Sequence, residues 1–144
     1  MLRLFVTSLV LLSVAIATVT VNCSPTPLNP DCTCSMQFVQ LTVTAVDALN
    51  NPVTDLDIVV EVTRTGELLD VMQSDNLREN GEYVIFDDGF RNAIPPKIAA
   101  LGEALEVMGT GSSGDFAAQY EVSVDLECRC HVFKLSGPDT VTVD

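Results

Sequence analysis

Tryptophan is absent, histidine occurs once, tyrosine only twice, and seven Lys and Arg face twenty Asp and Glu in 144 residues. Each shortage excludes something. A formal charge of −13 excludes a binder of nucleic-acid backbones, because counterion release needs clustered Lys and Arg. With one His, no obvious nucleophile-and-base pair and no glycine-rich phosphate loop, little inventory remains for acid–base or phosphoryl chemistry. The length allows one ordinary domain.

What is present begins with an export pattern. Arg3 precedes an apolar run from Leu4 to Ala17, interrupted only by Thr7, Ser8 and Ser13. This is the charged and hydrophobic layout of a secretory signal, expected over residues 1–22. Extended to Val21 the run reaches about 18 residues, the lower bound for crossing a bilayer, and its small residues favour cleavage over retention as an anchor. Two cuts compete. Ala15-Ile16-Ala17 fits ordinary signal peptidase, whereas Thr20-Val21-Asn22-Cys23 resembles the lipobox of a bacterial lipoprotein, with Thr20 and Asn22 departing from its usual residues. On the second reading Cys23 carries the lipid and holds the protein to a membrane. Ser24-Pro25-Thr26-Pro27-Leu28-Asn29-Pro30 then suits an extended tether, placed at residues 23–35 ahead of a domain at 36–144.

Setting Cys23 aside leaves an even four cysteines, Cys32, Cys34, Cys128 and Cys130. They form two C-x-C pairs separated by almost the whole domain. In extended backbone each pair presents both sulfurs on one face, so two disulfides closing the domain near its ends are expected in an exported chain. Three connectivities are open. A zinc site built from the same cysteines and His131 is disfavoured, because structural zinc sites space their cysteines more widely and His131 falls on the opposite strand face from Cys130. No metal and no cofactor are expected.

From Met36 onward apolar and polar residues alternate with the period of half-buried strands. Val39, Leu41, Val43 and Ala45 share one face; Ile58, Val60 and Val62 repeat the pattern, as do Ala118, Tyr120, Val122, Val124 and Leu126. Shorter strands are predicted at 68–72, 83–86, 104–108 and 140–143. Between them lie turn signals at Asn50-Asn51-Pro52, Thr65-Gly66, Asn80-Gly81, Asp87-Asp88-Gly89 and residues 109–114. Residues 98–108 have helix-forming composition, but Gly102 and the alternation of Leu105 and Val107 about Glu106 favour a strand over the second half. The prediction is an all-β, antiparallel Greek-key sandwich of about seven strands.

Val46-Asp47-Ala48-Leu49-Asn50-Asn51-Pro52-Val53, followed by the strand at Ile58 to Val62 and by Asn80-Gly81-Glu82-Tyr83, resembles the D-x-x-G-x-P-V and G-x-Y pattern of carboxypeptidase regulatory-like domains. The run Cys130 to Pro138 resembles the ending of exported bacterial members. The resemblance covers roughly residues 36 to 144 and implies a transthyretin-like sandwich, a tight turn with Asn51 in the Gly position, and a Tyr83 ring in the core. It also implies a non-catalytic module. The hydroxyisourate-hydrolysing branch of the same fold ends in Tyr-Arg-Gly-Ser and uses several His, which this chain lacks.

Other polar residues have ordinary readings. His131 fits a strand end, packing or capping beside a disulfide. Asp87-Asp88-Gly89 and Asp55-Leu56-Asp57 miss the EF-hand spacing and read as turns. Arg64, Arg78, Arg91 and Arg129 read as scattered surface ion pairs, and Ser112 and Ser113 as a hairpin tip without a base. Two functions follow. The first is a non-catalytic binding or structural module of the bacterial cell envelope, periplasmic or on the outer surface, whose partner is an envelope protein or surface polymer. The alternative is a small extracytoplasmic hydrolase or metal-binding enzyme using surface loops. Convergence of His131, Asp87, Asp88 and an Arg in one pocket would count against the first.

Overall fold

The computed structural model describes residues 32–144, so the signal segment, Cys23 and most of the tether lie outside the described residues. Eight strands form an all-β sandwich: β1 (Gln40–Val46), β2 (Asp57–Val62), β3 (Glu67–Leu69), β4 (Glu82–Asp87), β5 (Glu103–Gly111), β6 (Gly114–Val124), β7 (Val132–Ser136) and β8 (Thr140–Thr142). One sheet has the order β4-β1-β8, the other β3-β2-β5-β6-β7. A single turn of helix, α1 (Asp75–Arg78), and a 3-10 segment, Asp88–Ala93, flank β4.

Alternation builds the core as the sequence predicts. Val43 and Ala45 of β1, Val60 and Val62 of β2, Leu105 and Val107 of β5, and Tyr120, Val122 and Val124 of β6 are all buried between the sheets. Residues 103–111 are strand, and the helix-like composition before them becomes a turn in which the Pro95 carbonyl accepts the N–H groups of Ile98 and Ala99. Tyr83 enters the core; its hydroxyl donates to the Val53 carbonyl at 2.9 Å and accepts the Leu56 N–H at 3.0 Å. That bond pair pins the β1–β2 connection to β4.

Several expectations need correction. Among the described residues an eighth strand, β7, joins the seven expected; it buries only Val132 and so lacks the alternation that marks a strand in sequence. The pairing of β1 with β8 is parallel, since the chain crosses from the β7 sheet to the β1 sheet in between. β6 ends at Val124, leaving Leu126 exposed. In the first turn Asn50, at φ 63°, takes the left-handed conformation expected of Asn51; Asn51 instead donates both its N–H and its side-chain amide to Asp47. The Asn51 amide foremost, with the N–H groups, lowers the pKa of the Asp47 carboxyl.

Close approaches at Gly81 and Gly137 need the absence of a Cβ. A Cβ on Gly81 would come within 2.8 Å of the Ala45 carbonyl oxygen, and one on Gly137 within 2.3 Å of the Tyr120 ring. The Tyr120 hydroxyl is buried without a hydrogen-bond partner, and burial pushes its pKa up to about 12. On the outer edge of β4 the Gln73 side chain both donates to the Val84 carbonyl and accepts the Val84 N–H, substituting for a neighbouring strand.

Candidate functional site

The chemistry gathers at the end of the sandwich where both C-x-C segments meet. Disulfides join Cys32 to Cys128 and Cys34 to Cys130, each spanning 96 residues. Residues 32–35, placed in the tether on sequence, are thus bound to the folded domain. The constant offset means that the two segments run parallel and in register.

Asp125 shapes the second segment. One carboxylate oxygen accepts the N–H groups of Cys128 (2.7 Å) and Arg129 (2.9 Å), the other those of Cys130 (2.5 Å) and His131 (3.0 Å). Consecutive N–H groups can converge on one carboxylate because Arg129 adopts the left-handed region, at φ 55°. The loop is therefore not the extended strand that the C-x-C reading assumed. Burial opposes the charge on Asp125, but the four N–H groups outweigh it and hold the carboxyl below its usual value. Arg129 donates to the carbonyls of Arg91 and Ile94, and Arg91 to that of Asp88. These guanidinium groups clamp main chain and, among the described residues, form no ion pair.

Asp87 and Asp88 separate in role. The Asp87 carboxylate turns back to accept the Gly89 N–H, capping the 3-10 segment. Asp88, 3% exposed, points inward and ties three segments together. It accepts the N–H of Val39 at 2.9 Å and of Val132 at 2.8 Å, and its carboxylate meets His131 Nδ1 at 2.8 Å. Burial again opposes the charge, but the His131 ring and the two N–H groups leave the carboxyl below its ordinary value. An ionised carboxylate only accepts, so the shared hydrogen sits on Nδ1. In the neutral ring Nε2 then carries the free lone pair.

His131 Nε2 lies 2.8 Å from Ser35 Oγ. Ser35, His131 and Asp88 thus form a continuous chain of hydroxyl, imidazole and carboxylate. It opens on a hollow of about 200 Å³ whose walls include Met36, Phe38 and Arg91. The Gln37 N–H is directed at Ser35 Oγ from 3.4 Å. His131 is therefore neither a lone packing residue nor a simple cap. Of the four groups whose convergence would signal chemistry, His131, Asp88 and Arg91 line one pocket, and Asp87 does not.

Ser35 was not anticipated from sequence, yet a signal existed. Each C-x-C pair is followed directly by a polar residue, Ser35 after Cys34 and His131 after Cys130. A bridge between Cys34 and Cys130 brings the backbone at these two positions close. Ser112, by contrast, bonds to Asp55 through its hydroxyl and its N–H. Ser112 foremost lowers the Asp55 pKa. Arg64 pairs with the buried Glu103 at 2.8 Å. Among the described residues no group of three or more His, Cys, Asp and Glu could hold a metal ion. A second, larger depression of about 510 Å³, lined by Thr54, Asp75, Arg78 and Glu79, contains no nucleophile paired to a base. No protein-family model, curated protein or solved structure matches the chain.

Proposed function

We propose that the chain is an exported module of a bacterial cell envelope, held to a membrane by a lipid on Cys23 and working by binding an envelope protein or surface polymer. The observation that carries this reading is the pair of disulfides, which favours an oxidising, extracytoplasmic environment. The N-terminal apolar run, the cysteine at position 23 and the proline-rich stretch after it supply the address and the tether. The residues around Asn50 and Tyr83 support kinship with carboxypeptidase regulatory-like domains. Asp47, Asp87 and Asp125 accept main-chain N–H groups of their own loops and Asp55 ties two loops together through Ser112, which suits a scaffold for binding.

The test is metabolic labelling with a palmitate analogue in cells expressing the full chain. Label that depends on Cys23, and that is lost in Cys23→Ser, is the expected result. A mature mass beginning at Thr18 would overturn the tether.

A second reading, the small extracytoplasmic hydrolase, is favoured by one specific observation: the hydrogen-bonded chain of Ser35, His131 and Asp88 beside Arg91.

A further inference from the structure

The geometry points to Ser35 as a nucleophile that takes an acyl group from a small, uncharged carboxylic ester and passes it to water, with His131 as its base and Asp88 positioning the ring. This inference rests on the hydrolase reading and adds to it a reacting atom and a substrate class.

Three separate conditions for such a site meet here. The nucleophile and base are in hydrogen-bond contact, with 2.8 Å between Ser35 Oγ and His131 Nε2. The base is oriented by a third group, since His131 Nδ1 lies 2.8 Å from a carboxylate that two main-chain N–H groups hold in place. The nucleophile is reachable: Ser35 is exposed, and the hollow beside it is open to solvent. A purely structural His–Asp pair needs the second condition alone.

The substrate class follows from the walls. A volume of about 200 Å³ admits a short acyl group and no long chain. Met36 and Phe38, 104% and 60% exposed, offer apolar surface to it. The chain's charge of −13 repels anionic substrates, and the apolar walls at Met36 and Phe38 give a charged acyl group of either sign no partner, so the ester is neutral.

The reaction balances with water as the only co-reactant. Ser35 Oγ bonds to the carbonyl carbon while its proton passes to His131 Nε2 and the carbonyl π pair moves onto oxygen. The Gln37 N–H and the Arg91 guanidinium, both in the wall of the hollow, are the donors available to that oxyanion. Collapse breaks the carbon–alkoxy bond, and the departing alkoxide takes the proton from Nε2. Water then attacks the acyl-Ser35 ester, giving a proton to His131, which returns it to Ser35 as the acid leaves.

The experiment uses the oxidised, exported protein with both disulfides verified by peptide mapping. It is exposed to a fluorophosphonate probe and analysed by mass, in parallel with hydrolysis of p-nitrophenyl butyrate and p-nitrophenyl palmitate. One phosphonyl group on Ser35 is expected, absent from Ser35→Ala, together with butyrate turnover at least tenfold above palmitate. Asp88→Asn should slow labelling and flatten its pH profile, which a merely structural role would not do. Unlabelled Ser35 in a folded, oxidised sample overturns the hydrolase reading. Labelled Ser35 without preference for the short ester overturns the substrate class and leaves the nucleophile standing.

Discussion

Asp125 and Asp88 lie at the same end of the sandwich, and both hold their surroundings together by accepting hydrogen bonds, yet they differ in what donates to them. Asp125 takes four main-chain N–H groups and nothing else. Asp88 takes two, and its third partner is an imidazole whose far nitrogen meets a hydroxyl. A peptide N–H cannot change its protonation, so Asp125 can only fix a loop. An imidazole can, so the Asp88 arrangement can move a proton. The difference is one of donor chemistry: burial opposes the charge on both, and the hydrogen bonds that hold each carboxyl below its ordinary value come foremost from the His131 ring at Asp88 and from main-chain N–H groups alone at Asp125.

The bridges set the stage for both. By chain entropy the first disulfide to close a loop of some hundred residues contributes about 5 kcal/mol, while the second, closing only the short ring between the two C-x-C pairs, adds about 2 kcal/mol. The second bridge is therefore worth more for position than for stability, because it is the one that sets Ser35 on His131.

The largest expected effect is loss of both bridges. Replacing all four cysteines of the domain by Ala should cost about 7 kcal/mol, comparable to the whole stability of a small domain. Urea denaturation monitored by circular dichroism should find no cooperative transition, and neither carboxylate arrangement should survive.

Next comes Asp125→Asn. One amide oxygen replaces two carboxylate oxygens, and the new NH2 faces N–H groups that are themselves donors, so about 3 kcal/mol should be lost from the unfolding free energy measured in urea. Because the Asp125 carboxyl is lowered in the folded state, its contribution is complete above the unfolded carboxyl value and is lost as pH falls through the folded one. Thermal melts of the native protein should therefore fall below about pH 4, and the variant should show a shallower fall.

Asp88→Asn should cost less stability, about 2 kcal/mol, because its amide oxygen still serves one N–H group. Its distinctive effect is on Ser35. An Asn NH2 facing Nδ1 forces the ring hydrogen to Nε2, and reaction with a fluorophosphonate should slow on the order of 10³-fold or more. Equal slowing in Asp125→Asn at matched folded fraction would erase the contrast between the two carboxylates.

A change in stability as small as that of Asp88→Asn should come from removing the second bridge alone. The pair Cys34→Ala and Cys130→Ala should lose about 2 kcal/mol and stay folded, as calorimetry can verify. Ser35 labelling should nevertheless drop sharply, since the hydroxyl would no longer be held at the ring.

How much of this was legible in the sequence depended on range. Alternation over a few residues located the strands of the core, because inward and outward faces are written into neighbours such as Leu105, Glu106 and Val107. β7 was not legible, for Phe133 and Leu135 face solvent and the strand is defined by its pairing with β6. The cysteines were legible as bridge formers, but their connectivity depends on two distant segments running parallel, which no local pattern encodes. The same holds for Ser35 and His131, 96 positions apart, and for Asp88, whose neighbour Asp87 looks identical in sequence and faces a different way. Local signals specify faces; the site is specified by register.

The most direct test of the contrast uses the fact that the chain has one histidine. Long-range nitrogen–proton NMR of the oxidised protein at neutral pH reports which ring nitrogen carries the hydrogen, with no assignment ambiguity. Nδ1–H is expected, with an unprotonated Nε2 whose shift changes on Ser35→Ala and on reduction of the disulfides. A ring carrying its hydrogen on Nε2, or an Nε2 shift indifferent to Ser35→Ala, would contradict that contrast.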